Sequence, residues 1–175
     1  MPRVTKEQMK KDEEKVVKIL STKANESIDS IAKQCGFSRQ KAWRIIKNLE
    51  NNKTIWGYHA VADNEKLGQA AFLLLMKATN LPKQDTVQKI ISHEVGDLAR
   101  KTGVVIDCSS YIHGSYDWFV FFTADSIKEA KKFEQSLCKA YSDYLLETCL
   151  LQEMFPLKRC GFFNPDLEHI REYFD

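Results

Sequence analysis

The chain has 175 residues, 43% hydrophobic and 29% charged, with a net charge of +2. That length and apolar content suit one ordinary domain or two small ones and exclude wholesale disorder. No apolar run approaches the roughly 20 residues of a bilayer-crossing helix, and the opening MPRVTKEQMKKDEEK lacks a signal-peptide core, so a cytoplasmic protein without membrane contact is expected.

The first third reads as helices. Val16, Val17, Ile19 and Leu20 form an apolar stripe after Asp12-Glu13-Glu14, an acidic run that suits a helix N-terminus. A second helix runs from Ser27, with Ile28, Ile31 and Ala32 inward, to Cys35-Gly36, where glycine supplies a left-handed cap. Ser38 caps a third helix whose inward stripe is Ala42, Ile45, Ile46 and Leu49. The tight turn QCGFS between the last two matches a helix-turn-helix. KTIWGYHAVAD, with β-branched and aromatic residues around Gly57, is read as a short strand and linker, a wing or hinge. Residues 1–68 carry 14 Lys and Arg against 9 Asp and Glu. A basic front ahead of an acidic remainder points to an anion-binding N-terminal module.

The pattern then changes to strands. AAFLLLMKAT is a buried strand bounded by Gly68 and Pro82. Val87, Ile90, Ile91, Val95 and Leu98 recur at helical spacing up to Gly103 and predict one long helix. VVIDCSSYIHG alternates, with Val104, Ile106, Cys108, Ser110 and Ile112 on one face and Asp107, Ser109, Tyr111 and His113 on the other. DWFVFFTAD is a third strand. A helix with Ala130, Phe133, Leu137 and Tyr141 inward follows, and YLLETCLLQEMF is the last strand. The order β-α-β-β-α-β is that of ferredoxin-like folds, with helices on one face of the sheet. NPDLEHIREYF predicts a short terminal helix with Asn164 as cap and Pro165 in its first turn. The five cysteines are odd in number and form no Cys-x-x-Cys pair. Plain buried or half-buried thiols are expected, with no metal and no cofactor.

The helix-turn-helix, with GFSRQKAWRIIKNLE, resembles the Lrp/AsnC family of transcription regulators. So do Ile55-x-Gly57-Tyr58-x-Ala60 ending at Leu67-Gly68, and Gly114-x-x-Asp117. The likeness spans about residues 12–155 and leaves the tail unmatched. It implies an α+β protein with a winged helix-turn-helix domain at 1–56, a linker at 57–69 and a ferredoxin-like RAM (regulation of amino-acid metabolism) domain at 70–156, which is ACT-like. The tail, 157–175, follows. The resemblance also implies a non-enzymatic regulator that binds double-stranded promoter DNA, pairs as a homodimer or larger homo-oligomer such as an octamer, and responds to a small-molecule effector, often an amino acid.

Helical spacing places Gln40, Trp43, Arg44 and Lys47 opposite the inward stripe, with Ser38, Arg39 and Lys41 near the helix start. On that reading Arg44 recognises guanine and Gln40 adenine through paired hydrogen bonds, while Lys41, Lys47 and Lys53 contact phosphates. Trp43 either meets DNA or packs on the wing. Ile45 and Asn48 stand where family members usually carry arginine, and the usual Leu-Pro-Gly-Val before the last strand is replaced by SDYLLET.

The stretch YIHGSYDW holds a histidine, a serine and an aspartate within five residues. A catalytic triad needs the imidazole held between hydroxyl and carboxylate, which a tight turn hardly permits. Gly114-Ser115 is expected as a two-residue type II′ loop, with Ile112 opposite Asp117 and His113 opposite Tyr116. The resemblance makes His113, Gly114, Ser115, Tyr116 and Asp117 the candidate effector site, Asp117 for an amino group and Ser115 for a carboxylate. Two other readings are a siroheme decarboxylase-like enzyme and a RAM protein that no longer reads DNA.

Overall fold

The computed structural model describes residues 5–174. The chain is α+β and divides into two compact units, residues up to 61 together with 157–171, and residues 62–156 together with the last residues from 172.

In the first unit, α1 (Lys6–Leu20), α2 (Ile28–Cys35) and α3 (Arg39–Asn51) enclose Val16, Leu20, Ile31, Cys35, Ile46 and Leu49. Each helix starts on a hydroxyl cap. Thr5, Ser27 and Ser38 accept hydrogen bonds from the backbone N–H of Gln8, Ser30 and Lys41. Gly36, at φ 71°, ends α2 in the left-handed conformation, and Phe37 N–H donates back to the Ala32 carbonyl at 2.8 Å. That closing bond turns the chain sharply enough to start α3 two residues later, which is the helix-turn-helix.

Helix α1 begins six residues before the acidic run expected to open it. Asp12 therefore lies in mid-helix, on the face of Val16 and Leu20, and is buried. The expected wing strand is absent. Residues 56–63 form no regular structure. The tail also differs from its expected helix. Lys158–Arg159 (β5) pairs with Phe162–Phe163 (β6) around Cys160-Gly161. Both loop residues have positive φ, as a two-residue hairpin of the primed kind requires. A 3-10 helix follows at Leu167–Tyr173. Asn164 caps locally, accepting from Asp166 N–H at 2.8 Å.

The second unit is a four-stranded antiparallel sheet in the order β2 (Val105–Tyr111), β3 (Trp118–Ala124), β1 (Ala70–Ala78), β4 (Leu145–Gln152). Helices α5 (Glu94–Thr102) and α6 (Ile127–Ala140) pack on one face. There Phe72, Leu74, Met76, Trp118, Val120 and Phe122 meet Ala130, Phe133 and Leu137. The Phe122 ring stacks on Phe72 at 5.6 Å and meets the Phe133 edge at 5.0 Å. On the other face Leu73 lies between Phe121 and Leu151, and Leu75 between Phe119 and Cys149. Among the described residues, the cluster that packs against the helices takes in the first face and not this one.

Two expectations fail here for local reasons. The single long helix is two, α4 (Gln84–Ile91) and α5, broken at Ser92-His93. His93 takes a left-handed φ of 62°, which the unbroken apolar spacing conceals. The strict alternation of β2 also fails. Ile106 pairs with Phe122 and Cys108 with Phe121, so Asp107 is a bulge. Beyond it Ser109 and Tyr111 move to the helix-covered face, opposite Val120 and Trp118, and Cys108 and Ser110 to the open one.

Candidate nucleic-acid interface and hairpin site

Burial of Ala42, Ile46 and Leu49 fixes the rotation of α3 and leaves Gln40, Trp43, Arg44 and Lys47 on its exposed side. Trp43 is 50% exposed. Lys47 Nζ pairs with Glu50 at 2.7 Å, and the Tyr58 hydroxyl donates to the other Glu50 oxygen at 3.1 Å. Lys47 in the first place holds the Glu50 carboxyl below its usual range, while burial and then Glu50 push the Tyr58 phenol up. Arg39 reaches Asp29 of α2 at 3.6 Å, an exposed pair. Arg44 has no ion-pair partner among the described residues.

Two expected contacts also have structural work. The Ser38 hydroxyl oxygen is taken by the Lys41 N–H, so it caps the helix. Lys41 Nζ lies 2.6 Å from Asp12 Oδ2 and 4.1 Å from the centre of the Phe37 ring. Its ammonium is engaged by α1, so a phosphate contact there would have to compete with Asp12. Asn48 donates to Glu13 at 3.0 Å, again tying α3 to α1, and Ile45 packs against the core. These are the two positions where arginine was missing, and both serve helix packing.

Asp12 is the residue that sequence reasoning missed. Hydrogen bonding to Lys41 in the first place holds its carboxyl below the usual range, against the burial that raises it. The signal was present, since Asp12, Val16 and Leu20 are spaced four apart on one helix face.

At the hairpin, Tyr111 and Trp118 are the last paired residues, and Ile112 N–H donates to the Asp117 carbonyl at 2.8 Å. The expected register therefore holds, but the two-residue II′ turn does not. Gly114 sits at φ 156°, far from the value that turn requires. The Asp117 N–H donates to Met76 O at 2.9 Å, and Asp117 Oδ2 accepts from Ala78 N–H at 2.8 Å. One residue thus pins the loop to the end of β1. His113, Gly114 and Ser115 are exposed, while Tyr116 and Asp117 are half-buried. Cys149 first, then desolvation and Glu147, push the Tyr116 phenol up, which places it over β4. With the Asp117 carboxylate turned to β1, the three catalytic-looking side chains do not form a relay.

No protein-family model and no curated protein matches this sequence. Solved structures do. An AsnC family transcriptional regulator from Agrobacterium tumefaciens superimposes with a TM-score of 0.65 at 17% identity, over 89% of this chain and 97% of that one. The leucine response regulatory protein LrpA of Mycobacterium tuberculosis gives 0.66 at 12%, over 88% and 98%. The chain has the Lrp/AsnC regulator fold. A transcriptional regulator from Neisseria meningitidis, solved as a complex with L-Met, shares that fold at a TM-score of 0.63 and 14% identity, over 91% and 97%. Within the Lrp/AsnC fold, α2 and α3 are the helix-turn-helix and the 112–117 hairpin belongs to the RAM-type sheet. No described helix is long and apolar enough to cross a membrane.

Proposed function

We propose that the protein is a DNA-binding transcription regulator of the Lrp/AsnC type that acts in the cytosol as a homodimer or larger assembly. One observation carries the reading. Helix α3 presents Gln40, Trp43, Arg44 and Lys47 on a single exposed side, while its other side is locked into the three-helix core. A major groove admits such a helix, and Arg44 and Gln40 are the two side chains suited to paired hydrogen bonds with bases. Arg39 and Lys47, held only by exposed ion pairs, are free to exchange carboxylates for phosphates. The DNA-binding module ends near residue 56, followed by a linker to 69 and the effector-binding and pairing domain at 70–156.

The hairpin residues His113 to Asp117 are the proposed contact for an effector with amino-acid chemistry. The second Asp117 oxygen serves an ammonium, and Ser115 donates to a carboxylate. The apolar face built from Leu73, Leu75, Phe119 and Phe121 is the proposed pairing surface. Mobility shifts on DNA upstream of the protein's own gene and on random DNA test the regulator reading. Arg44→Ala should weaken the upstream complex by about 1–3 kcal/mol and leave random-DNA binding nearly unchanged. Failure of the wild type to shift any duplex at low salt would end the proposal, since phosphate contacts are strongest there.

A further inference from the structure

A cavity of about 290 Å³ lies under the α4–α5 break, against β2 and Trp118. It is walled by Ile90, Val95, Ile106, Ser109, Trp118 and His93, among others. The size sits at the small end of ligand cavities, roughly 300–1,000 Å³. It shares no residue with the proposed hairpin site.

The wall chemistry is one-sided. Aliphatic and aromatic groups supply most of the surface. On the helix-covered side of the sheet the polar side chains are the Ser109 and Tyr111 hydroxyls and the His93 imidazole. Trp118, 5% exposed, donates its indole N–H to Ser109 Oγ at 2.9 Å, which leaves the Ser109 hydrogen to donate onward. No acidic side chain lines the cavity. The carboxylate next in sequence, Glu94, instead acts on Tyr141, whose phenol is pushed up to about 12 by burial first and Glu94 second. An ammonium group would find no carboxylate to neutralise it here, whereas a carboxylate would find hydroxyl donors.

The lip of the cavity is also strained. His93 holds a left-handed backbone, a conformation unfavourable for an L-residue. Such outliers persist where the surroundings enforce them and cluster at ligand sites. The opposite wall carries the Asp107 bulge, which brings Ile106 and Ser109 to the same face. A helix break and a strand bulge thus flank one apolar hollow.

We propose that this cavity binds a small carboxylic acid with a branched or aromatic apolar body and no amino group. The inference goes beyond the hairpin reading and concerns binding alone, so it stands whether or not α3 contacts DNA.

The test titrates the full chain with phenylacetate and 4-methylvalerate, with L-leucine, the amine-bearing counterpart of 4-methylvalerate, and with L-phenylalanine, an amine-bearing acid one methylene longer than phenylacetate. The protein has three tryptophans, so it gives three indole N–H signals by nuclear magnetic resonance, and Trp118→Phe identifies one. With phenylacetate the Trp118 signal should move saturably, and L-phenylalanine should displace the acid at least tenfold less well than phenylacetate itself. Gly96 lines the cavity, and a Cβ there meets only Arg100 Nη1, at 3.9 Å. Gly96→Leu is therefore tolerated at this lining position, and by adding bulk there it should weaken the response at least tenfold while the unfolding midpoint is kept. Ser109→Ala should weaken the acid at least fivefold. The proposal is overturned if neither acid moves the Trp118 signal, if Gly96→Leu binds phenylacetate as the wild type does, or if L-phenylalanine matches or beats phenylacetate. DNA binding, measured separately without any acid, decides the regulator reading by itself.

Discussion

A single buried carboxylate organises the first unit. Asp12 is 3% exposed and pairs with Lys41, whose side chain is 35% exposed. The two partners are therefore not equivalent. Lys41→Ala leaves a buried anion with only the Gln8 amide, at 2.9 Å, and should cost about 3 kcal/mol, as expected for a broken buried pair. Asp12→Ala leaves an ammonium on a flexible stem that can turn to water, so its cost should be smaller, about 1–2 kcal/mol. Urea unfolding of both variants at neutral pH checks the order. The pH dependence follows from the lowered carboxyl. Its contribution is fully present above the unfolded-state value of about 3.9 and is lost as pH falls through the lower folded-state value. Wild type should thus lose stability on acidification below about pH 4 more steeply than Asp12→Ala.

The same residues show how much was legible beforehand. Caps at Ser27, Ser38 and Gly36 were readable because each needs only one local side chain or one glycine. The exposed side of α3 was readable because burial follows the 3.6-residue period. Lys41 was not, since its partner lies 29 positions earlier, on a helix expected to begin at that partner.

At the scale of elements, period-based reading failed wherever one residue departs from the regular backbone. The apolar spacing from Val87 to Leu98 is continuous, yet the helix is interrupted at His93. Nothing in hydrophobic periodicity reports a left-handed residue, and glycine, the usual marker, is absent there. His93→Gly should relieve that conformation, and against the greater unfolded-state freedom of glycine the net gain is about 0.5–1 kcal/mol. The shift in urea midpoint at unchanged slope measures it. A loss of stability would mean that the imidazole makes contacts worth more than the strain. The hairpin misled in a similar way. Its register was fixed by strand pairing, but its loop is held by Asp117 reaching β1, a contact from 39 residues away.

For the whole molecule, the sheet has two apolar faces and only one set of helices. Leu75 sits at the middle of the bare face, between Phe119 and Cys149. If that face pairs two copies, Leu75→Lys places a charge against an identical charge or against apolar side chains, and either is unfavourable. Light scattering should then report a monomer for the variant and a dimer or larger species for the wild type. Circular dichroism should match between them, because Leu75 points away from the helix-covered core. A wild-type monomer would remove the pairing surface from the proposal. The residues of that face follow from the two-residue period of β1 and β3, whose apolar runs supply both faces.

The bulge at Asp107 has a consequence for how this strand can be compared with others. Ile106 and Cys108 already oppose consecutive partners, Phe122 and Phe121. In the ladder, Asp107 counts as no step at all. A ladder without it would keep every other β2 residue opposite its present partner and on its present face. An ungapped alignment of β2 with a regular strand, by contrast, gives every residue on one side of position 107 the wrong face. In such a comparison the gap belongs at Asp107.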